Sequence, residues 1–214
     1  MYRFFKRLFD VVCALIGVIG TSPIWIISIV LTLASDWGPL FYFANRVGQD
    51  NKKFKMYKFR TMRQQTEEEE KKGWSKRGDT RVTKVGKFLR MTSLDELPEL
   101  FNILCGDMSI VGPRPLLVKY IPLYSEEQRH RHDVRPGLTG YAQAHGRNAV
   151  SWEDKFAMDI WYTENLSFKL DLKIILGTVK AVLKRDGISS ATSATMEEFA
   201  GTNQNAKVTW EAPV

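Results

Sequence analysis

Cysteine and histidine are scarce in this chain. Two cysteines, Cys13 and Cys105, and three histidines, His130, His132 and His145, are scattered over 214 residues. Neither cysteine belongs to a CxxC pair and no histidine has a partner at metal-ligand spacing, which argues against a disulfide framework and a zinc centre. The thiols read as free groups in a reducing compartment. A Walker loop, a GxGxxG turn, an HExxH helix and a GxSxG elbow are also missing, which leaves the commonest nucleotide-binding and hydrolytic readings without support. No internal repeat is visible.

Charge and apolar content are present, and unevenly placed. Lys+Arg of 31 against Asp+Glu of 24 gives net +7. That balance suits anionic partners: nucleic acid, acidic lipid headgroups or phosphorylated substrates. The longest apolar run, Leu8 to Ala34, lies at the amino terminus, interrupted by Asp10, Thr21, Ser22, Pro23, Ser28 and Thr32. At ~1.5 Å per residue it is long enough to cross a ~30 Å hydrocarbon layer once. It is about twice the ~7–15 residue core of a signal peptide and no small-x-small cleavage site ends it.

A single span and a hairpin are the remaining readings. Arg3, Lys6 and Arg7 precede the run, and Arg46, Lys52, Lys53, Lys55, Lys58, Arg60 and Arg63 follow it. Positive charge prefers the cytoplasm, so a hairpin that enters and leaves one leaflet satisfies both flanks where a span satisfies one. Ser22-Pro23 supplies a break in mid-run, because Pro23 removes a backbone donor and clashes with the preceding turn. The hydroxyls of Thr21 and Ser22 can bond the carbonyls so freed. An ordinary proline-kinked span is the alternative that these residues leave open.

The remaining pattern predicts one small mixed α/β domain with short strands and amphipathic helices. Leu40–Phe43 and Phe54–Phe59 read as strands around Gly48-Gln49-Asp50-Asn51. Helices are expected near 85–90, 97–104, 152–162 and 170–183, with Gly187 as a stop. The acidic and basic run 67–72 reads as a solvated loop or helix face. The expected organisation is a re-entrant membrane foot over residues 1–36, a catalytic domain over 37–188 and a loosely ordered tail over 189–214.

Three stretches carry chemistry. In Thr92-Ser93-Leu94-Asp95-Glu96-Leu97-Pro98, adjacent acids precede an amphipathic segment. Helix capping explains them blandly, since Ser93 and Glu96 fit an S-x-x-E box, but Pro98 would then be the fifth helical residue. A start at Asp95 moves Pro98 into the first turn. Either register aims a helix N-terminus at these carboxylates, which fits an ionised nucleophile as well as a cap. In Gly112-Pro113-Arg114-Pro115, two prolines narrow the backbone around Arg114, suiting its guanidinium to bidentate phosphate binding, or simply forming a turn with an exposed arginine. In Lys58-Phe59-Arg60-Thr61-Met62, Lys58 and Arg60 fall on one face of a strand, which is also what a solvated edge would show.

Taken in order, these segments resemble the monotopic phosphoglycosyl transferases, or bacterial sugar transferases. The likeness extends from Lys58-Phe59-Arg60-Thr61-Met62 through Lys84–Arg90, Ser93–Pro98, Phe101–Leu104, Gly106–Pro115, Val134–Gly140 and Gly146–Trp152 to Leu170-Asp171-Leu172-Lys173, and covers roughly residues 1 to 187. The short chain is similar to the minimal single-domain members, the undecaprenyl-phosphate diacetylbacillosamine phosphotransferases among them.

The resemblance implies a nucleophile at Asp95, which is also a ligand for Mg2+, with Glu96 as its dyad partner. It places Arg90, Arg114 and Asp171 in or near the active site, Pro113 and Pro115 around Arg114, and Lys58 and Arg60 in a motif lining it. Ser22-Pro23 matches the family's membrane break. The implied reaction moves a sugar-1-phosphate from a UDP-sugar to polyprenyl (undecaprenyl) phosphate, on the cytoplasmic face of the bacterial inner membrane and in contact with its lipid. No nucleic acid partner is expected, and the oligomeric state, a dimer included, is left open. Tyr141 stands where a tryptophan is expected and Ala144-His145 where a Val-Asn pair is, which leaves the sugar's identity open. The competing class is a non-catalytic basic module binding anionic lipid or nucleic acid.

Overall fold

The computed structural model describes residues 2–64, 79–145, 150–184, 198–201 and 208–213. The charge run 67–72, residues 146–149 and the expected stop at Gly187 lie outside them.

Two helices open the chain, α1 (Tyr2–Gly20) and α2 (Ser22–Ser35), bent by 61° at the break between them. No single described helix is long and apolar enough to cross a membrane. Pro23 sits in the first turn of α2, where its missing donor has no intrahelical partner to lose. Gly17 O accepts from both the amide and the hydroxyl of Thr21, at 2.9 and 2.6 Å. The indole of Trp25 then donates to that hydroxyl at 3.0 Å. The expected hydroxyl-to-carbonyl bond is thus made by Thr21, while Ser22 starts the second helix.

Apart from Trp25, the pair turns small and polar side chains inward and most of its large aliphatic ones outward. α1 buries Asp10 and Ala14, and α2 buries Trp25, Ser28 and Thr32. Leu8, Val12, Leu15, Ile16, Ile19, Ile26, Ile27 and Val30 are exposed. This inverts the usual pattern of a soluble helix and leaves these apolar side chains uncovered among the described residues. Asp10 interrupts the apolar run because it is a fastener: its Oδ1 accepts from Ser109 Oγ and from the Ile110 amide, each at 3.0 Å.

An antiparallel hairpin follows, β1 (Phe41–Val47) with β2 (Lys53–Phe59), paired from Phe41↔Phe59 to Val47↔Lys53. Its turn places Asp50 and Asn51 at φ 54° and 59°, a region these two residue types tolerate. Next come α3 (Lys84–Met91), α4 (Glu99–Cys105), and β3 (Ser109–Val111), which pairs in parallel with β4 (Gly137–Thr139). Short helix α5 (Glu126–Arg129) precedes β4, and α6 (Tyr141–His145), α7 (Trp152–Glu164) and α8 (Phe168–Lys184) follow it. The architecture is mixed α/β, with two small two-stranded sheets among the described residues and helices packed around them.

Asn102 locks α4 onto the hairpin. It is fully buried; its amide nitrogen donates to Lys55 O at 2.7 Å and its Oδ1 accepts from Tyr57 N at 2.9 Å. One side chain thereby satisfies both backbone groups of a β2 edge that no third strand covers. The other end of α4 is held by the N-terminal helix pair. Arg7 donates to Ile103 O and Leu104 O at 2.5 and 2.9 Å, placing a cation at the helix C-terminus just before Gly106 at φ 94°.

The tail that the sequence pattern marks as loose is anchored at two described stretches. Phe199 is buried among Tyr120, Tyr124, Trp152 and Phe156, and Asp154 accepts from the amides of Thr209 and Trp210. Polar composition hid this, since single aromatic residues between Ser, Thr and Ala carry no period.

Replacing Asn102 by Ala should destabilise the domain by about 1–3 kcal/mol, because two part-buried backbone groups lose their partner at once and a fully buried side chain is removed. Thermal melting of the detergent-solubilised protein checks this; an unchanged midpoint would show that water replaces the amide at no cost.

Candidate active site

The turn between α3 and α4 brings the acids into place. Thr83 Oγ1 accepts from Gly86 N at 2.8 Å and caps α3. Gly86 itself lies so close to Thr61 that a Cβ would fall 1.9 Å from Thr61 O. Arg90 in the last turn of α3 donates through Nε to Thr61 Oγ1 at 2.8 Å. The chain then reverses at Ser93, in the left-handed region at φ 57°, and enters a single 3-10 turn, Leu94–Glu96.

Both expected helix registers are corrected here. Helix α4 starts at Glu99 with Pro98 as its N-cap residue, and neither Ser93 nor Pro98 makes a side-chain cap. The amides of Glu96, Leu97, Leu100 and Phe101 bond three residues back rather than four. Pro98 has no amide to bond four residues back, so the tighter spacing carries the chain past it. Asp95 and Glu96 are therefore not capping residues.

What each acid meets differs sharply. Glu96 Oε1 receives Lys58 Nζ at 2.6 Å and Arg114 Nη2 at 2.7 Å. Burial alone would push its carboxyl up, but the charges of Arg114 and Lys58 outweigh this and hold it far below the usual carboxylate range. Asp95 is buried and makes no side-chain hydrogen bond or ion pair among the described residues. Burial pushes its carboxyl up against the opposing charge of Lys58, and the neighbouring Glu96 adds to the rise. Arg90 and Arg114 act on Asp95 only through their fields.

A third acid, Glu99, belongs to the cluster and was not singled out by sequence pattern. It is buried, with Oε1 3.0 Å from Lys58 Nζ, an ion contact without hydrogen-bond geometry. Burial pushes its carboxyl up to about 7, opposed by Lys58 and reinforced by Glu96. Lys58 stays a firm cation, since the two glutamates outweigh its own desolvation. A glutamate one residue after a proline looks like an ordinary first-turn acid, and only the tertiary contact with Lys58 marks it out.

Arg114 is positioned from behind. Its carbonyl accepts from Arg131 Nη2 at 2.8 Å, and Arg131 is itself held by Asp159 Oδ2 at 2.7 Å, both fully buried. Pro113 O accepts from Gly137 N at 3.0 Å, and Gly112 packs so tightly that a Cβ would lie 2.3 Å from Arg135 O. Pro115 is buried. Arg131 and Asp159 are 28 residues apart, with no local pattern linking them.

Two expected site residues are placed elsewhere. Arg60 does not share the Lys58 contact; its guanidinium donates to Asp36 Oδ2 at 2.7 Å and to the Asp36 carbonyl, closing the exit of α2. Strand β2 ends at Phe59, so the alternation that would set Lys58 and Arg60 side by side stops one residue early. Asp171 is fully buried and receives Tyr2 OH and Lys6 Nζ at 2.6 Å each and Tyr162 OH at 2.7 Å. It joins α1, α7 and α8 instead of lining the Asp95 cluster. The Tyr162 hydroxyl lies 3.1 Å from Val111 O, three residues before Arg114, so Asp171 supports the Arg114 turn at a distance.

No group of three or more His, Cys, Asp or Glu side chains able to cage a metal occurs among the described residues. A Mg2+ bound through one carboxylate plus substrate phosphates needs no such cage, and the unengaged oxygens of Asp95 fit that mode.

With this geometry in hand, the relatives are informative. Residues 1–185 match the bacterial sugar transferase family. The chain belongs to that family. It is 48% identical over 196 residues to the uncharacterized sugar transferase EpsL of Bacillus subtilis, covering 92% of this chain and 96% of the relative. It is 40% identical over 199 residues to the undecaprenyl-phosphate galactose phosphotransferase of Salmonella typhimurium, covering 86% of this chain and 42% of the relative. Identity is 38% over 189 residues to the UDP-N-acetylgalactosamine-undecaprenyl-phosphate N-acetylgalactosaminephosphotransferase of Aeromonas hydrophila, covering 86% and 44%. The chain thus spans about two fifths of the length of the latter two and nearly all of the first.

Within this sugar transferase, Tyr141 and His145, both expected to differ from the family pattern, form one structural unit. The rings of Tyr141 and His145 stack with centroids 4.0 Å apart, and Tyr141 also packs on Trp161 at 4.8 Å.

Glu99 gives the cluster a pH signature. Its folded-state value of about 7 lies above the ordinary 4.5. Between these values the folded chain holds a proton that the unfolded chain releases, so this contribution to stability is present at low pH and is lost as pH rises through 7. Glu99→Gln removes the loss, and should stabilise the protein relative to wild type by about 1–3 kcal/mol more at pH 8 than at pH 5. Melting curves at the two pH values decide it; a difference independent of pH would refute the assignment.

Proposed function

We propose that this chain transfers a sugar-1-phosphate from a UDP-sugar to undecaprenyl phosphate, releasing UMP and leaving undecaprenyl-diphosphate-sugar, in two displacements through an aspartyl phosphosugar on Asp95. The transferase class follows from the family, and relatives named for undecaprenyl-phosphate sugar phosphotransfer support the general reaction. One observation carries the division of roles: of two adjacent carboxylates, Glu96 is held by Lys58 and Arg114 while the Asp95 side chain makes no hydrogen bond among the described residues. A carboxylate already clamped by two cations is a poor nucleophile. A buried one with raised basicity and open oxygens is a better one.

In the first displacement an Asp95 oxygen bonds to the phosphorus bearing the sugar, and the bond from that phosphorus to the UMP oxygen breaks. In the second, an oxygen of the acceptor phosphate bonds to the same phosphorus and the Asp95 bond breaks. No net proton transfer is required. Arg114 and Arg90 supply fixed positive charge around the phosphoryl oxygens, and Glu96 keeps Arg114 and Lys58 oriented between turnovers. Mg2+ held by Asp95 and the substrate phosphates would neutralise further negative charge there.

The bent helix pair is proposed as a re-entrant foot that enters and leaves the cytoplasmic leaflet of the bacterial inner membrane. Both of its ends are fastened to the same domain: Lys6 to Asp171 and Arg7 to α4 at the start, Asp36 to Arg60 at the exit. A segment crossing the bilayer once would have to release one of these ends. The exposed apolar face of the pair then meets lipid, and the acceptor's phosphate is presented at the depth of the site. Lys6, Arg7, Lys58, Arg60 and Arg131 all face internal acceptors. That arrangement disfavours the reading of a basic module displaying its charge to lipid or nucleic acid.

Asp95→Asn should lower UMP release by roughly 10³-fold or more with melting and membrane association retained. Quenched wild-type reactions with donor alone should contain a sugar-phosphate adduct on Asp95 by mass spectrometry. Full turnover in the variant would reject the nucleophile.

Tags at both termini should be reached by a membrane-impermeant reagent only in inside-out vesicles. Labelling of one terminus in intact spheroplasts would establish a span.

A further inference from the structure

Arg46 lies near the end of β1, against the segment that carries Arg114. The Val47 amide donates to Leu116 O at 3.2 Å and Arg46 is bridged to Leu117, so this end of β1 runs beside the residues that follow Arg114-Pro115. Its guanidinium shares its surroundings with Arg114, Glu99, Tyr42 and Tyr120. It nevertheless makes no hydrogen bond or ion pair among the described residues, and its Nε is shut off from solvent without a partner.

The other cations of the cluster are engaged. Lys58 has Glu96 and Glu99, Arg114 has Glu96, and Arg90 has Thr61. Arg46 has been desolvated beside a like charge with no anion of its own, and burial followed by Arg114 depresses its pKa. Glu99, the acid among its charged neighbours, is itself pushed up to about 7, so it is only a partial counter-charge at neutral pH. A guanidinium in that condition is unfavourable until an anion joins it, and its planar fork suits two oxygens of one phosphate.

Position decides which phosphate. The register sets Arg46 on the same face of the hairpin as Lys58 but two same-face pairs further along (Tyr42↔Lys58, Ala44↔Met56, Arg46↔Phe54). Lys58 with the Asp95-Glu96 turn thus lies at one end of that face and Arg46 at the other, beside the segment that follows Arg114. A phosphorus bonded to Asp95 lies on the near side, and the group opposite Asp95 in an in-line displacement lies on the far side. In the first step that group is the departing phosphate of UMP. In the second it is the entering phosphate of the acceptor, because both displacements run along the same line in opposite senses.

We infer that Arg46 and Arg114 together form a seat for a phosphomonoester dianion, filled in turn by UMP as it leaves and by polyprenyl phosphate as it enters. The inference rests on the two-step reading above and names the residue that both substrates share.

The test uses the full chain in lipid nanodiscs, as wild type, Arg46→Gln and Arg46→Lys, with melting curves on every sample. UMP affinity is measured by calorimetry, and the KM for undecaprenyl phosphate by product formation. Arg46→Gln should weaken both by tenfold or more, and Arg46→Lys, which keeps the charge and loses the fork, should fall between it and wild type. Arg46→Lys alone suffices if the glutamine variant does not fold. A folded variant with wild-type UMP affinity and wild-type KM overturns the seat. Weakening of one phosphate only assigns the position to that ligand and overturns the sharing. Failure of the wild type itself to bind UMP would count against the nucleotide-sugar reading, and the seat would fall with it.

Discussion

Two cations, Lys58 and Arg114, converge on a single oxygen of Glu96, and the rest of the site depends on that contact. Lys58 comes from β2 and Arg114 from the turn after β3, so Glu96 ties the hairpin, the 3-10 turn and the second sheet at one point. Because Glu96 takes both cations, Asp95 beside it keeps its oxygens free while still sitting in their positive field. Reversing the occupancy would spoil both roles. A clamped Asp95 would lose basicity, and an unclamped Glu96 would leave Arg114 to swing into solvent, where its side chain is already 44% exposed.

Each arm of that contact is braced by a buried polar group at a distance. Asn102 fixes the β2 edge on which Lys58 stands, and the Arg131–Asp159 pair fixes the carbonyl of Arg114. Isolated buried ion pairs add little stability, because desolvation offsets their attraction. Here the pair gives a third contact to a backbone carbonyl, so its value lies in holding a geometry. The N-terminal helix pair joins the same network: Arg7 ends α4, Asp10 holds β3, and Tyr2 and Lys6 reach Asp171, whose partner Tyr162 touches Val111. Helices that elsewhere would only anchor are here part of the frame that places Arg114.

Local pattern carried much of this into view. The helices over 152–162 and 170–183, the hairpin around Gly48–Asn51 and the break at Thr21-Ser22-Pro23 are written in periods and breakers that act over a few residues. Asp95, Glu96, Lys58 and Arg114 were legible as chemistry-bearing types in constrained settings. Pairings over long separations were not. Lys58 and Arg60 look alike two residues apart, yet one meets Glu96 and the other Asp36, because the strand ends between them. Asp171 was expected in or near the active site, but its contacts are with Tyr2 and Lys6 more than 160 residues away. Glu99 became visible only when Lys58 proved to lie against it. The capping reading failed for a local reason, the missing amide of Pro98, which changes the turn from four-residue to three-residue bonding.

The polar face of the foot explains why the chain tolerates a charged residue inside an apolar run. A carboxylate at Asp10 would be prohibitive against hydrocarbon, and equally so in a dry core without donors. It meets a hydroxyl and an amide of β3, two residues that only arrive once the domain has folded. Docking of the helix pair and assembly of the sheet beside Arg114 are thus energetically linked, since neither leaves its polar groups satisfied without the other. An isolated helix pair would carry an unpaired acid, and a domain without the pair would expose the Ile110 amide and the C-terminal carbonyls of α4. The site is therefore complete only when the helix pair is packed on the domain with its large aliphatic side chains turned outward.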